Sequence, residues 1–333
     1  MKKRHAKASG LFVLKLAGTG IFLWWALSRV DAKHALAENF KLALHSPYWV
    51  AAGIGLVFLS LFASACRWFF LLRAQSIHEP FSYIFRLTLY SAFFNIASLG
   101  GAAGDAAKIV LLIRREPNKK IGITMSVMVD HIIGFISSGI IFLVATWGFG
   151  IIDLVGDGVG RSAFIAATWF QAGGIIGMLL SVVSCSPAIL SWGRRNFLWC
   201  TNNRWIITIT SVLDLYRTGW KHAFIALLAS FVLSASFYLT FFAALMTINQ
   251  PIGAVKIMSV MPIVDVLTAL PISISGLGVR ERSFDFFIGQ LTDIPTNAAV
   301  TASLIGFMFT LFWGLVGGLL MILFHTSVKK SHD

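Results

Sequence analysis

The chain has 333 residues, of which 57% are hydrophobic and 12% are charged, and its mean hydropathy is +0.80. Soluble domains carry roughly 25% charged residues, so the composition excludes a soluble globular protein and indicates an integral membrane protein. The net charge of +13 does not indicate nucleic-acid binding, because the lysines and arginines lie in short loops and no soluble basic domain is present.

Six apolar runs are each long enough to cross the roughly 30 Å hydrocarbon core of a bilayer as a helix. They lie at residues 11–30, 47–72, 121–149, 162–184, 222–248 and 298–325. The first run has the length of a full span and no small-residue cleavage site follows it, so we expect a retained helix rather than a signal peptide. A polar, basic, tryptophan-rich stretch at about 186–221 predicts an interfacial segment on anionic lipid.

Basic residues alternate between the two sides of this arrangement. Lysines and arginines concentrate before the first run, after the second, before the third, between the fourth and fifth, and at the C-terminal end. Cytoplasmic loops of membrane proteins are enriched in these residues. The sequence therefore predicts a multi-pass protein of the cytoplasmic (inner) membrane with both termini in the cytoplasm.

Two further apolar segments, 81–113 and 252–291, fit this topology only if each leaves the membrane on the side from which it entered. Both are interrupted by glycines, and the first is shorter than the about 40 residues that two crossings and a turn need. We therefore expect two re-entrant hairpins whose tips are buried in protein or line a wet cavity.

The predicted fold class is thus an all-α integral membrane protein with six spanning helices and two glycine-broken re-entrant hairpins. Residues 47–149 and 222–325 would form an inverted repeat within a single transmembrane domain covering residues 1–333. Such repeats place a shared site near the bilayer midplane.

The break in the second hairpin predicts an anion site. A proline ends the preceding helix, and Gly276 and Gly278 permit sharp turns and the close approach of another group. The first amides of the next helix would form, with Arg280 and Arg282, a cup for a phosphate. Glu281 would pair with one of these arginines. The alternative is a structural Arg–Glu cluster that snorkels to the interface.

The first hairpin carries a similar break, in which Gly101 and Gly104 give the backbone the same freedom. Asp105 stands where a helix N-cap belongs, and Lys108 follows one turn later on the same face, so the two can pair. A Lys108 that faces the cavity instead would add a second phosphate contact. Asn95, one turn before the break, would donate to head-group oxygens or satisfy backbone groups.

Asp130 and His131 lie within the third apolar run, where an acid needs a partner, and Arg67 and Lys108 are the candidates. Asp265 stands shortly before the second break. These acids are candidate proton carriers of a coupled transporter, and a structural ion pair is the alternative for each. Arg67 could also snorkel to the inner interface.

The sequence around both breaks resembles a known family. Residues 271–281 (PISISGLGVRE) look like the C-terminal signature of the flippase-like transmembrane domain of lysylphosphatidylglycerol synthases. Residues 99–108 (LGGAAGDAAK) and 129–134 (VDHIIG) look like two other motifs of that domain, although the family often has arginine where Lys108 and His131 stand. The resemblance implies a membrane protein that moves, or helps to move, a lipid across the bilayer. Since the soluble aminoacyl-transfer domain is absent, we expect no lipid aminoacylation.

Three classes of function fit these observations. A lipid translocase would hold an anionic or phosphate-bearing head group among the cations, while the lipid tails stay in the membrane. An accessory subunit would assist a lipid- or envelope-modifying enzyme. An intramembrane lipid-phosphate enzyme would need a nucleophile or base beside the cations.

We predict the translocase and no enzyme, because the sequence holds neither a metalloprotease-type histidine pair nor a serine nucleophile elbow. Asp105 beside Lys108 is the one plausible catalytic dyad. We expect no cofactor and no metal. The expected partners are membrane lipids with anionic head groups, no nucleic acid, and a second copy of the chain or a partner enzyme.

Overall fold

The computed structural model describes residues 32–97, 102–184, 218–270 and 273–328, and every regular element within these ranges is a helix. The predicted span at 11–30 and most of the predicted interfacial segment lie outside the described residues. The predicted all-α membrane fold is confirmed.

Among the described residues, five helices are long and apolar enough to cross a bilayer. Each coincides with a predicted span, because continuous apolar sequence is a local property that fixes helix length in lipid. The five are α2 (Pro47–Ala74), α5 (Lys120–Leu143, continued by a π-helical turn, Val144–Gly148), α6 (Val159–Ser184), α7 (Trp220–Thr247) and α10 (Thr296–Val328). A shorter helix, α1 (Ala32–Leu44), packs against α2, α7 and α10.

Each segment predicted to be broken is a pair of shorter helices that pack against each other. The first pair is α3 (Phe81–Ala97) and α4 (Ala102–Arg115), and the second is α8 (Ala254–Ala269) and α9 (Val279–Gly289). The four helices have 17, 14, 16 and 11 residues. At about 1.5 Å per residue, each is shorter than the roughly 30 Å hydrocarbon core.

Helices α2 and α7 share the most extensive contact in the described structure and form the centre of the bundle. Helix α2 also packs on α3, α5 and α10, and α7 also packs on α8, α10 and α5. Helix α4 rests on α5, as α9 rests on α10. Helix α3 reaches α10, and α8 reaches α5. Both helix pairs are thus held against the long helices of both halves.

Glycines on α10 bring it close to α3. A Cβ atom on Gly317 would overlap the backbone carbonyl of Leu89, and one on Gly318 would meet the ring of Phe93. Small residues at a helix interface let two backbones approach closely in a membrane, where apolar burial supplies no net driving force. This contact fixes the end of α3 that leads to the first break.

Candidate functional site

A cavity of about 760 Å³ lies between the two short-helix pairs and the long helices α2, α5, α7 and α10. Its volume falls within the range of small-molecule sites. The ionisable residues that line it come from five helices, α2, α4, α5, α8 and α9. They are Arg67, Lys108, Arg280, Asp105, Asp130, Asp265 and His131.

Arg67 and Asp130 form a closed pair on one wall of the cavity. Arg67 Nε donates to Asp130 Oδ1 at 2.6 Å, Nη2 donates to Oδ2 at 2.8 Å, and Nη1 donates to Ser230 Oγ at 3.0 Å. Both charged side chains are buried. A Cβ atom on Gly134 would approach Arg67 Nη1 to 2.9 Å, so this glycine makes room for the guanidinium. Of the two partners predicted for Asp130, the structure selects Arg67.

Asp105 joins two basic residues on the next part of the wall. Lys108 Nζ lies 2.9 Å from Asp105 Oδ1, and His131 Nε2 lies 2.8 Å from Oδ2. Lys108 is buried and its Nζ lies 5.2 Å from the centre of the Trp68 ring, which adds a cation–π contact. The expected pair of Asp105 and Lys108 therefore forms. The expected N-cap role of Asp105 is wrong, because both carboxylate oxygens face side chains and the residue lies within the first turn of α4.

Asn95 takes over the role expected of Asp105. Its Oδ1 accepts a hydrogen bond from the amide of Gly104 at 2.9 Å and so caps the start of α4. A Cβ atom on Gly104 would collide with Asn95 Oδ1 and with the carbonyl of Ser91, so only glycine allows this approach. Gly104 supports the cavity wall without lining it. Gly101 lies outside the described residues.

The second break is built from three residues in the left-handed region of φ. Ser275, Gly276 and Gly278 have φ values of 51°, 72° and 82°. Only glycine adopts this conformation without strain, which explains the two glycines. The resulting turn reverses the chain between a short 3₁₀ turn and α9, and it places Gly276 on the cavity wall.

Arg280 opens α9 and lines the cavity. Its Nη2 donates to the carbonyl of Ser275 at 2.7 Å, and its guanidinium lies 5.0 Å from the centre of the Phe307 ring. Its Nη1 is buried and has no hydrogen-bond partner in the described structure. Buried donors are nearly always satisfied in proteins, so an unsatisfied guanidinium nitrogen at a cavity needs a ligand or water.

The neighbouring charges of α9 do not line the cavity. Glu281 accepts hydrogen bonds from the amide of Gly278, at 2.5 Å, and from Ser303 Oγ, at 3.4 Å, so its carboxylate caps α9. The sequence had predicted a pairing with an arginine and missed this cap. Arg282 Nη1 donates to Asp285 Oδ2 at 2.5 Å. Neither Glu281, Gly278 nor Arg282 lines the cavity, so the predicted two-arginine cup is reduced to Arg280.

The second break contacts the end of α3 at the cavity. Ser275 Oγ lies 3.4 Å from the carbonyl oxygen of Asn95 and 3.5 Å from that of Ile96, which are near the end of α3. Asp265 lines the same region from α8, and its side chain is exposed to the cavity. No described residue donates a hydrogen bond to its carboxylate.

Sequence reasoning missed a chain of hydroxyl groups behind the Arg67 pair. Ser137 Oγ lies 2.7 Å from Ser230 Oγ and 3.3 Å from Ser234 Oγ, and Ser138 Oγ lies 2.6 Å from the hydroxyl of Tyr238. These groups join α5 to α7 through the membrane interior. The spacing of Ser230 and Ser234, one helical turn apart in apolar sequence, was the signal that could have revealed them.

An all-helical bundle whose long apolar helices surround a polar, charge-lined cavity defines a multi-pass membrane protein. The chain belongs to the family described as the lysylphosphatidylglycerol synthase transmembrane region, whose model matches residues 12–318. This match confirms the resemblance found in the sequence and covers both breaks. No curated protein and no solved structure matches the chain significantly.

Proposed function

We propose that the protein is a lipid translocase, which moves a phosphate-bearing lipid between the leaflets of the cytoplasmic membrane. The observation that carries this proposal is Arg280, whose buried Nη1 has no protein partner and which lines a cavity inside an apolar helix bundle. Ionisable groups within membrane segments are expensive and usually mark a substrate pathway. The family to which the chain belongs is named for a lipid-modifying enzyme, which favours a lipid as the cargo.

The short helices support the expected re-entrant hairpins. None of the four reaches the length that a full crossing needs, and all four contribute side chains to the lining of the cavity. Irregular backbone at membrane depth is tolerated only where it is buried in protein or lines a water-filled space. We therefore propose that each pair leaves the membrane on the side from which it entered, the first on the cytoplasmic side and the second on the opposite side, with the N- and C-termini in the cytoplasm.

The helix contacts support the inverted repeat. Exchanging α2 with α7, α3 with α8, α4 with α9 and α5 with α10 converts each extensive contact among these eight helices into another one. The contact of α2 with α7 is converted into itself. The contact of α3 with α10 is more extensive than its counterpart, α8 with α5. In alternating access, such an asymmetry reverses as one repeat rocks against the other, and the site opens to the opposite face.

The cavity fits the proposed cargo. A phosphate would accept hydrogen bonds from Arg280 and from the first-turn amides of α9, which an α-helix leaves without intrahelical acceptors. The lipid tails would remain among the apolar helices. The proposal includes no chemical step, since both oxygens of Asp105, the acid of the suggested catalytic dyad, are engaged by Lys108 and His131.

Reconstitution in liposomes tests the proposal. Lipids with a fluorescent acyl chain are incorporated with the full-length protein, and an impermeant quencher reports how fast the inner-leaflet lipids reach the outer leaflet. We expect rapid exchange with the wild type and a loss of at least tenfold with Arg280→Ala, since a hydrogen bond to a charged group contributes about 1.5–3 kcal/mol.

The matched control is Arg161→Ala. Arg161 is an arginine outside the cavity that pairs with exposed Asp157. This variant should exchange lipid at the wild-type rate. Exchange by Arg280→Ala at the wild-type rate, with protein correctly inserted, would refute a phosphate site at Arg280. Absence of exchange by the wild type with every lipid tested would refute the translocase itself.

A further inference from the structure

Most charges of the cavity are already matched within the protein. Arg67 is held by Asp130 through two hydrogen bonds, and Lys108 is held by Asp105. Neither basic group is therefore free to neutralise a ligand without breaking a short, buried contact. Two ionisable side chains of the described lining remain for a ligand. They are the cation Arg280, on α9, and the acid Asp265, on α8.

Near Arg280, two other hydrogen-bond donors of the cavity wall have no acceptor among the described residues. Besides Arg280 Nη1, the Oγ of Ser273 is buried, lines the cavity and has no hydrogen-bond partner in the described structure. Asn95 uses its Oδ1 to cap α4, and no described residue accepts from its Nδ2. Three donors that line the same cavity, one from the end of α3 and two from the second break, match an oxygen-rich group with several lone pairs, such as a phosphate.

The acid is Asp265, whose carboxylate lacks a hydrogen-bond donor among the described residues. Its carboxylate is exposed to the cavity and interacts electrostatically with Arg280, but the two do not form an ion pair within 4.0 Å. A carboxylate can only accept hydrogen bonds, and no described side chain supplies one. The natural partner for it is a ligand group that is both positively charged and a hydrogen-bond donor.

The charge balance points the same way. The described lining holds three cations and three acids, so its net charge is zero when His131 is neutral. In that protonation state, a head group with one negative charge would leave the occupied cavity at −1 within a medium of low dielectric, which is costly. A head group with one phosphate and one ammonium keeps the occupied cavity neutral.

We infer that the cavity selects a zwitterionic lipid head group, with its phosphate at Arg280, Ser273 and Asn95 and its ammonium at Asp265. This inference rests on the proposed function for the identity of the ligand as a lipid. It narrows the class from any phosphate-bearing lipid to one that also carries a primary ammonium group.

The test compares three lipids with the same tails, namely phosphatidylethanolamine, its N-acetylated form and phosphatidylglycerol. Acetylation removes the ammonium and leaves the phosphate. Binding is measured on purified full-length protein by native mass spectrometry, and exchange is measured in liposomes. We expect the wild type to bind and exchange phosphatidylethanolamine about tenfold better than either anionic lipid, as the loss of one charge-assisted hydrogen bond implies.

Asp265→Asn should abolish this preference, because the amide has a similar shape and lacks the charge. Asp265→Glu, which keeps the charge, should retain the preference. Asp157→Asn is the matched control, since Asp157 is exposed and lies outside the cavity. It should behave as the wild type in both assays.

The outcomes separate the inference from the proposed function. Equal exchange of all three lipids, or a preference that survives in Asp265→Asn, overturns the zwitterion inference and leaves the translocase intact. If the protein exchanges none of the three lipids, the proposed translocase is overturned. The zwitterion inference is then tested by the binding measurement alone. A binding preference that Asp265→Asn abolishes supports it, and the lack of any preference overturns it.

Discussion

Removal of the acid from the Arg67–Asp130 pair is expected to destabilise the protein severely. The relative exposed areas of the two residues are 8% and 3%, and two hydrogen bonds of 2.6 and 2.8 Å join them. Asp130→Ala would leave a buried guanidinium with Ser230 as its remaining partner. Breaking a buried ion pair in this way costs about 3–5 kcal/mol, chiefly because an uncompensated charge remains.

The loss can be measured as the free energy of unfolding, by titrating detergent-solubilised protein with sodium dodecyl sulfate and following tryptophan fluorescence. Asp130→Asn keeps one acceptor, so we expect about half the loss that Asp130→Ala shows. A double variant, Arg67→Met with Asp130→Ala, removes both charges and should recover most of the stability, because an apolar replacement of a buried pair is often neutral.

Two results would refute this reasoning. Asp130→Ala with wild-type stability would show that Arg67 does not depend on the acid. A double variant less stable than Asp130→Ala would show that Arg67 stabilises the fold through contacts other than this pair. Asp157→Asn, which disrupts an exposed pair with Arg161, should give no measurable change and serves as the control.

Two further predictions concern packing and water access. Gly317→Ala should lower the unfolding free energy by about 2 kcal/mol or more, because its Cβ would overlap the backbone of Leu89. Gly173→Ala, where a Cβ would meet open space, should leave the unfolding free energy unchanged. The same titration measures both variants, and equal stability would contradict the close approach of α3 and α10. A cysteine at Ala269, which is exposed on the cavity wall, should react with a water-soluble maleimide in a background without native cysteines. A cysteine at Met308, which is exposed outside the cavity, should not react, and mass spectrometry measures both. A lack of reaction at position 269 would mean that the cavity is dry.

The sequence located the helices because the signals for them are local. The apolar runs at 47–72 and 222–248 predicted α2 and α7 to within a few residues, the glycines after α3 predicted the interruption of the first segment, and Pro271 predicted the end of α8. Hydrophobic length and glycine content act within one or two turns, so a single chain displays them directly. The charges that line the cavity were also found in this way, since ionisable residues are conspicuous in apolar sequence.

The partners of those charges were decided by tertiary packing. Asp130 had two candidate cations, and only the contact between α2 and α5 brings Arg67 to it, from 63 positions away along the chain. Asp105 looked like a helix cap from its local sequence, but the approach of α5 places His131 against it and leaves the capping to Asn95.

The sequence by itself determined an all-helical membrane protein with two interrupted segments and a set of buried charges. Only the tertiary structure decided which charges neutralise one another and which remain for a ligand. Arg280 and Arg282 look alike in sequence, yet α9 turns one into the cavity and the other towards Asp285. The physical reason is that a charge in lipid must find a partner within a few ångströms, and that distance is set by how helices pack rather than by their spacing along the chain.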